Sequence, residues 1–267
     1  MSPAAAAFRD LHASGCFLLP NAWDRGSARY LAGLGFPAIA STSSGFAWSR
    51  GRPDGAMDVD SVLAHLVDLV TATDLPVNAD FENGFGRTAR EVGRHVALAA
   101  STGVAGLSIE DSTGDADVPL FELGEAVDRI GAAREAAPEV VLVGRSEGFL
   151  WGRPDLDETI RRLRAYADAG ADCLYAPGIS GREQISAVVE AVAPKPVNVL
   201  VGGPSDLSVA DLAALGVRRI SVGGALARAA WAGFEQAART LADGSFAGFE
   251  GAASGADLNS FFSSYDA

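Results

Sequence analysis

The chain has 267 residues, 48% of them hydrophobic, and a formal charge of −13. Without a basic run to neutralise phosphates, that acidity excludes a nucleic-acid or anionic-membrane partner. No apolar stretch approaches the roughly 20 residues of a membrane span, and the start "MSPAAAAFRDLHASG" has neither the basic head nor the apolar core of a signal peptide, so the expectation is a cytoplasmic protein.

Short apolar runs recur along the chain at residues 16–20, 37–42, 76–80, 105–110, 140–145, 172–176, 196–200 and 219–222. Between them lie segments with helical apolar spacing at 61–73, 89–102, 126–136, 157–169, 182–192, 209–215 and 226–242. Several runs follow a helix-closing glycine, as in "LGF", "TGV", "AGAD" and "LGV". Alternation of strand and helix implies a parallel sheet covered by helices. Eight such units suit an α/β fold of the (β/α)8 TIM-barrel kind. A doubly wound sheet is the alternative, but no GxGxxG follows the first strand. The reading is one barrel domain over residues 1–267, with a C-terminal tail from about residue 244 ending in "LNSFFSSYDA". That apolar pair suits a subunit contact or a docked tail equally. Cys16 and Cys173 sit inside apolar runs and read as core thiols, not as a disulfide or a zinc site.

In such barrels the chemistry gathers at the C-terminal ends of the strands. There the sequence places Asn21, Trp23 and Asp24 after the first strand, Ser43, Ser44, Gly45 and Asp54 after the second, and Asp80 and Glu82 after the third. Glu110 and Asp111 end the fourth, Arg145 and Glu147 the fifth, Tyr175 the sixth, and Asn198 stands near the end of the seventh. In an extended segment Asp80 and Glu82 face the same side. Two such acids need a metal ion, an arginine or a shared proton between them. Oxygen ligands without His or Cys select Mg²⁺ or Mn²⁺. The same acids would serve a rim ion-pair network in which Arg145 meets Glu110 or Glu147.

Absences narrow the chemistry. Every one of the 21 basic residues except Lys195 is arginine, and Lys195 precedes the seventh strand, at the wrong end of a barrel for a Schiff base. His12, His65 and His95 fall on helices or before the first strand, which disfavours a histidine base. Metal and carboxylate chemistry with arginine remains, and it suits polarising a 2-oxo acid and stabilising its enolate. Paired glycines in "VGGP" and "VGG", after the seventh and eighth strands, leave a phosphate site as a rival reading.

The motifs "LPNAWDRGSARYLAGLGFPAIASTSSGFAWSRGRPDG", "NADFENGFG", "GLSIEDS", "VGRSEGF" and "RRISVGG" resemble the isocitrate lyase/phosphoenolpyruvate mutase superfamily, in order, through nearly the whole chain. The resemblance implies a barrel with its last helix swapped between neighbours, a homo-oligomer (dimer or tetramer), and a Mg²⁺ site for 2-oxo acids or their enolates. It implies Asp80 as direct metal ligand, and Asp54, Glu82 and Glu110 as ligands through water. Arg145 would grip the substrate carboxylate or enolate oxygen, and Ser44 and Gly45 with their backbone N–H groups the carboxylate end. Ser43, Trp23 and Asn198 complete the expected substrate-binding set. Tyr175, Glu147 and a water on the metal are the candidate proton donors. Two departures stand out. Family lyases carry a "KKCGH"-like gate after the fourth strand, where this chain has "DSTGDADVPLFELGEAV". The "YAPG" at the sixth strand end lacks the histidine of the mutases. The metal and oxo-acid half of the site matches the family and the reaction-defining half does not; on the matching half, lyase or decarboxylase chemistry through a pyruvate-type enolate is expected. The alternatives are a phosphonopyruvate or carboxyphosphonate mutase or hydrolase, and a binding protein for 2-oxo acids without catalysis.

Overall fold

The computed structural model describes residues 2–265. All eight apolar runs form strands, and Asn21–Ala22 adds a ninth: β1 (Phe17–Leu19), β2 (Asn21–Ala22), β3 (Ile39–Ser41), β4 (Val77–Asp80), β5 (Gly106–Glu110), β6 (Val141–Arg145), β7 (Cys173–Tyr175), β8 (Val197–Leu200) and β9 (Arg219–Ser221). Every pairing is parallel, in the order β1-β9-β8-β7-β6-β5-β4-β3-β2. Pro20 ends the first run and β2 follows it, so β1 pairs with β9 and β2 with β3, and the sheet closes on itself. The Asn21 side chain bridges that seam. Its Nδ2 donates to Ser41 O at 2.7 Å, and its Oδ1 accepts from Val222 N and Gly223 N at 3.0 and 2.8 Å.

The helices are α1 (Pro3–Ala13), α2 (Arg25–Gly33), α3 (Ser43–Ser49), α4 (Val59–Val70), α5 (Ala89–Ser101), α6 (Leu123–Ala136), α7 (Leu156–Asp168), α8 (Arg182–Val192), α9 (Val209–Ala214), α10 (Ala225–Ala242) and α11 (Gly255–Ser263). The expected helices match α4 to α10. The glycines expected to close helices, Gly35, Gly103, Gly170 and Gly216, all have positive φ. The apolar spacing missed α1, α2, α3 and α11. Capping explains two of these. Asp24, expected at the rim, instead caps α2 by accepting from Ser27 N at 2.7 Å, and Thr42 caps the short α3.

Strand alternation sorts the side chains. Val77, Ala79, Leu107, Ile109, Leu142, Leu174, Val197, Val199 and Ile220 face outward into the main core beneath the helices. Inside the barrel, Phe17, Leu19, Ala38, Ala40, Ala105 and Val141 pack on Phe8 of α1, which plugs the bottom. Above them the interior turns polar, with buried Asn78, Ser108, Asn198, Arg219 and Ser221. Cys173 is buried and Cys16 only half-buried, because the residue precedes β1; both are free thiols. Among the described residues no helix is long and apolar enough to cross a membrane.

At the C-terminal end, α10 buries only Ala227, and Trp231, Phe234 and Leu241 stand exposed. The tail then folds back. Phe261 of α11 packs against Tyr30 of α2 with the rings tilted at 46°, and the Tyr265 hydroxyl donates to Arg29 O at 2.6 Å. The tail is thus docked on its own chain, with Asp266 and Ala267 outside the described residues.

Two buried histidines set an acid limit. In the neutral tautomer the His12 Nδ1–H donates to Phe8 O at 2.7 Å, and the His65 ring stacks on Phe46 at 3.9 Å. Burial lowers both from the ordinary 6.5 to about 4. The unfolded chain therefore binds more protons between these values. The associated stability is present above 6.5 and is lost as pH falls toward 4. The loss is roughly 3 kcal/mol at most for each ring. Urea unfolding above and below this window should show the loss, and a smaller one in H12Q and H65Q; an unchanged loss in both variants would refute the assignment.

Candidate active site

Arg145, at the end of β6, gathers acids from three strand ends. Its Nη1 lies 3.2 Å from Asp80 Oδ1 and 3.3 Å from Glu110 Oε2, and its Nε donates to Glu147 Oε1. Strand register makes this happen: Glu110 of β5 and Tyr175 of β7 stand opposite Arg145 on either side. The guanidinium also sits 5.1 Å from the centre of the Tyr175 ring. The expected rim network is present, with Asp80 as a further partner. Burial pushes Glu110 and Glu147 upward against the pull of Arg145. Burial also raises Tyr175 to about 12, so its hydroxyl is protonated at neutral pH.

Asp80 is held on both sides. Its N–H donates to Ser41 Oγ at 2.8 Å, and its Oδ2 accepts from Ser43 N at 2.9 Å. Glu82 joins it by a different route from the one the alternation implied. β4 ends at Asp80, and Glu82 lies past the strand with φ of 46°. A left-handed turn, and not a shared strand face, brings the two carboxylates together. Burial, then Asp80 and Asp54, push Glu82 up to about 8. Asp54 is raised as well, first by burial and then by Asp80.

Several residues support this cluster in roles that the sequence did not indicate. Asp111 is buried and accepts from Ser146 Oγ, Glu147 N, Tyr166 OH and Arg162 Nη1 at 3.1, 2.7, 2.7 and 3.2 Å. It thereby fixes the backbone of Glu147. Arg129 of α6 lies over the Phe121 ring at 3.7 Å and donates to Gly86 O at 2.8 Å, and His95 of α5 contacts Gly84 O at 3.0 Å. These two anchor the loop after Glu82. The available signal was a polar side chain at a helix position otherwise reserved for the core, as with Arg162 and Tyr166 four apart on α7.

Two cavities open at this end. The outer one, about 830 Å³, is lined by Asp54, Glu82, Glu110, Arg145, Glu147 and Trp151. The inner one, about 180 Å³, reaches down past Ser43, Ser44, Asp80 and Tyr175 to Arg219. Other expected substrate contacts lie elsewhere. Gly45 is buried, with its N–H turned to Thr42 Oγ1. Trp23 lines a separate cavity with Phe46 and His65. Asn198 is buried and bonded to Ser221 and Arg219. The Val222 and Gly223 N–H groups, which a phosphate would need, are spent on Asn21. Lys195 donates to Ala171 O, ahead of β7, so it stands at the far end from the acids.

Among the described residues no three His, Cys, Asp or Glu side chains form a ready metal cage. Asp80, Glu82, Glu110 and Asp54 nonetheless fit a hard divalent cation. They are all oxygen donors, more numerous than the one arginine among them, and burial and mutual repulsion raise Glu82. Mg²⁺ takes only one or two carboxylates directly and keeps several waters, so a closed cage is not required.

The Glu82 turn yields a test. A left-handed non-glycine residue costs about 1–3 kcal/mol. E82G should raise stability by about 1 kcal/mol after its own chain entropy is counted, whereas E82Q, which keeps the strain, should gain less. Urea unfolding of the two variants checks this, and a less stable E82G would show that the turn is relaxed.

Comparison with known proteins gives the family. The profile of the family described as phosphoenolpyruvate phosphomutase matches residues 8–242. An uncharacterized protein of Mycobacterium tuberculosis H37Rv is 34% identical over 89% of each chain. An oxaloacetate decarboxylase of Pseudomonas fluorescens Pf-5 is 34% identical over 79% of this chain and 75% of its own. Among solved structures, a candidate lyase/mutase from Burkholderia cenocepacia J2315 is 51% identical, with a TM-score of 0.94 over 97% of this chain and 96% of that one. 2,3-Dimethylmalate lyase, a superfamily member, is 26% identical with a TM-score of 0.85 over 98% and 95%. Oxaloacetate acetylhydrolase in complex with its product oxalate is 27% identical with a TM-score of 0.87 over 98% and 95%. A profile match across most of the barrel, on a fold shared at these scores, places the chain in the phosphoenolpyruvate phosphomutase family, within the isocitrate lyase/PEP mutase superfamily.

Proposed function

We propose that this chain is a cytoplasmic, Mg²⁺-dependent lyase or decarboxylase. Its substrate would be a 2-oxo acid, or a 2-hydroxy or tricarboxylic relative, cleaved at a carbon–carbon bond. The observation that carries this reading is the convergence of Asp80, Glu110 and Glu147 on Arg145 at one cavity. Relatives named oxaloacetate decarboxylase and 2,3-dimethylmalate lyase support it, as does the oxalate held by oxaloacetate acetylhydrolase.

Asp80 would hold the metal directly, with Glu82, Glu110 and Asp54 supporting it through water. Bound there, the metal supplies a Lewis-acid charge to the oxygens of an oxo acid. Arg145 offers a preorganised cation where negative charge develops on a substrate oxygen. Its orientation is fixed by Glu147, which Asp111 holds in turn. Ser43 and Ser44 bind the carboxylate end in the inner cavity. Tyr175 keeps its proton at neutral pH and is the leading proton donor, with Glu147 the second. A phosphonate substrate has less support, because the loop at 111–127 carries Asp111, Asp115, Asp117, Glu122 and Glu125 and no lysine. The exposed Trp231, Phe234 and Leu241 of α10 suit association of copies through that helix. W231E with F234E should then lower the mass seen in analytical ultracentrifugation.

The deciding experiment is calorimetric titration of oxalate with Mg²⁺ and again with EDTA. Binding should require Mg²⁺ and should vanish in D80A, together with turnover of a panel of 2-oxo and 2-hydroxy acids. Oxalate binding and turnover that survive in D80A would overturn the metal assignment. Mg²⁺-dependent binding without turnover of any acid would instead favour a non-catalytic binding protein.

A further inference from the structure

Arg219 is unusual for the inside of a barrel. Barrel interiors are mostly filled by branched apolar side chains, yet this arginine is only 3% exposed. Its Nε donates to Asn198 Oδ1 at 2.9 Å and its Nη1 to Asn78 Oδ1 at 3.2 Å. Both acceptors are neutral amides. Among the described residues no carboxylate lies in ion-pair distance of Arg219, and its Nη2 has no protein acceptor. Burying a charge in this way is costly unless something completes its partners.

What could complete them is set by the cavity. Arg219 stands at the bottom of the inner cavity of about 180 Å³, beneath Asp80 and Arg145. Two arginines line that cavity. Arg145 already has three carboxylate partners in the protein. Arg219 is met by none. The walls around it, Ser108 and Ser221 among them, are polar and buried. The volume suits a small acid or a few waters. Burial without an ion partner also disfavours the charged form of Arg219, a penalty that an incoming anion relieves.

We propose that Arg219 is a specificity-determining residue: its guanidinium forms the floor of a subsite for a carboxylate of the ligand. The asparagines hold the fork in place without neutralising it. The subsite thereby selects ligands with an anionic group at the buried end and rejects near-isosteric neutral ones. This proposal rests on the 2-oxo-acid reading of the site.

Two variants and two probes test it. The probes are oxalate and oxamate, in which one carboxylate is replaced by a neutral amide, titrated calorimetrically with Mg²⁺ present. R219Q removes the cation. N198D keeps the cation and its geometry but gives it a carboxylate partner, and the Ser221 hydroxyl can turn to donate to the new acid. The second variant keeps the test open if R219Q does not fold. Losing a charge-assisted contact should weaken oxalate by roughly tenfold or more, and should shrink the preference for oxalate over oxamate. A purely structural role would leave that preference intact. Folded variants that retain the wild-type preference overturn the Arg219 assignment alone. Wild-type protein that binds neither probe overturns the oxo-acid reading, and the Arg219 proposal falls with it.

Discussion

A side chain on a β-strand can face only one of two ways, and in a closed parallel barrel both ways are interior. Everything in this molecule follows from how the chain uses that choice. Outward residues of β4 to β9 are Val, Leu, Ile and Ala, and they weld the strands to the helices. Inward polar residues of the same strands are Asn78, Asp80, Ser108, Glu110, Arg145, Tyr175, Asn198, Arg219 and Ser221, above the apolar Val141, Val143 and Cys173. The outer apolar layer supplies the hydrophobic stabilisation. The inner layer is thereby released to carry polar chemistry that would be ruinous to a fold with a single core.

The electrostatics of the mouth are those of an incomplete set. One guanidinium serves three carboxylates, and Glu82 and Asp54 add more negative charge beside them. Neighbouring elements then spend further groups on rigidity. Asp111 orders Glu147, and Arg129 and His95 hold the loop that carries Glu82. A cluster this crowded with acid, and this firmly held, is preorganised for a cation and for an anion that the cation brings with it.

Much of the fold was legible in the sequence, because each strand is a short apolar run and most helices have a periodic apolar face. The helices α2 and α3 were not, because they are short and defined by the caps Asp24 and Thr42 more than by an apolar stripe. At the site, Asp80, Glu110, Arg145, Glu147 and Tyr175 were legible from their place at strand ends. Glu82 was found for an incomplete reason, since a backbone turn with positive φ leaves no mark on a non-glycine residue. Trp23, Gly45 and Asn198 were read as substrate contacts because they sit near strand ends. Near an end, however, one residue of offset decides between cavity and interior. Arg219 was passed over, and Asp111 was placed only at a strand end, because their partners lie far along the chain, and no local pattern announces a partner met only through the fold.

The seam at Pro20 has its own consequence. At the rim one carboxamide, Asn21 of β2, ties Ser41 O of β3 on one side to Val222 and Gly223 past β9 on the other. The segments bearing Ser43 and Gly224 are thus tethered to a common post, and that side of the opening has a set width. Across the mouth, residues 112–120 close on themselves through the Ser112–Leu120 bridge and Thr113, and are tied to the barrel by the Asn83 and Trp151 side chains on Ser112. The mouth therefore has one side tied into the barrel's own strands and one side built from a turn whose bonds are mostly its own.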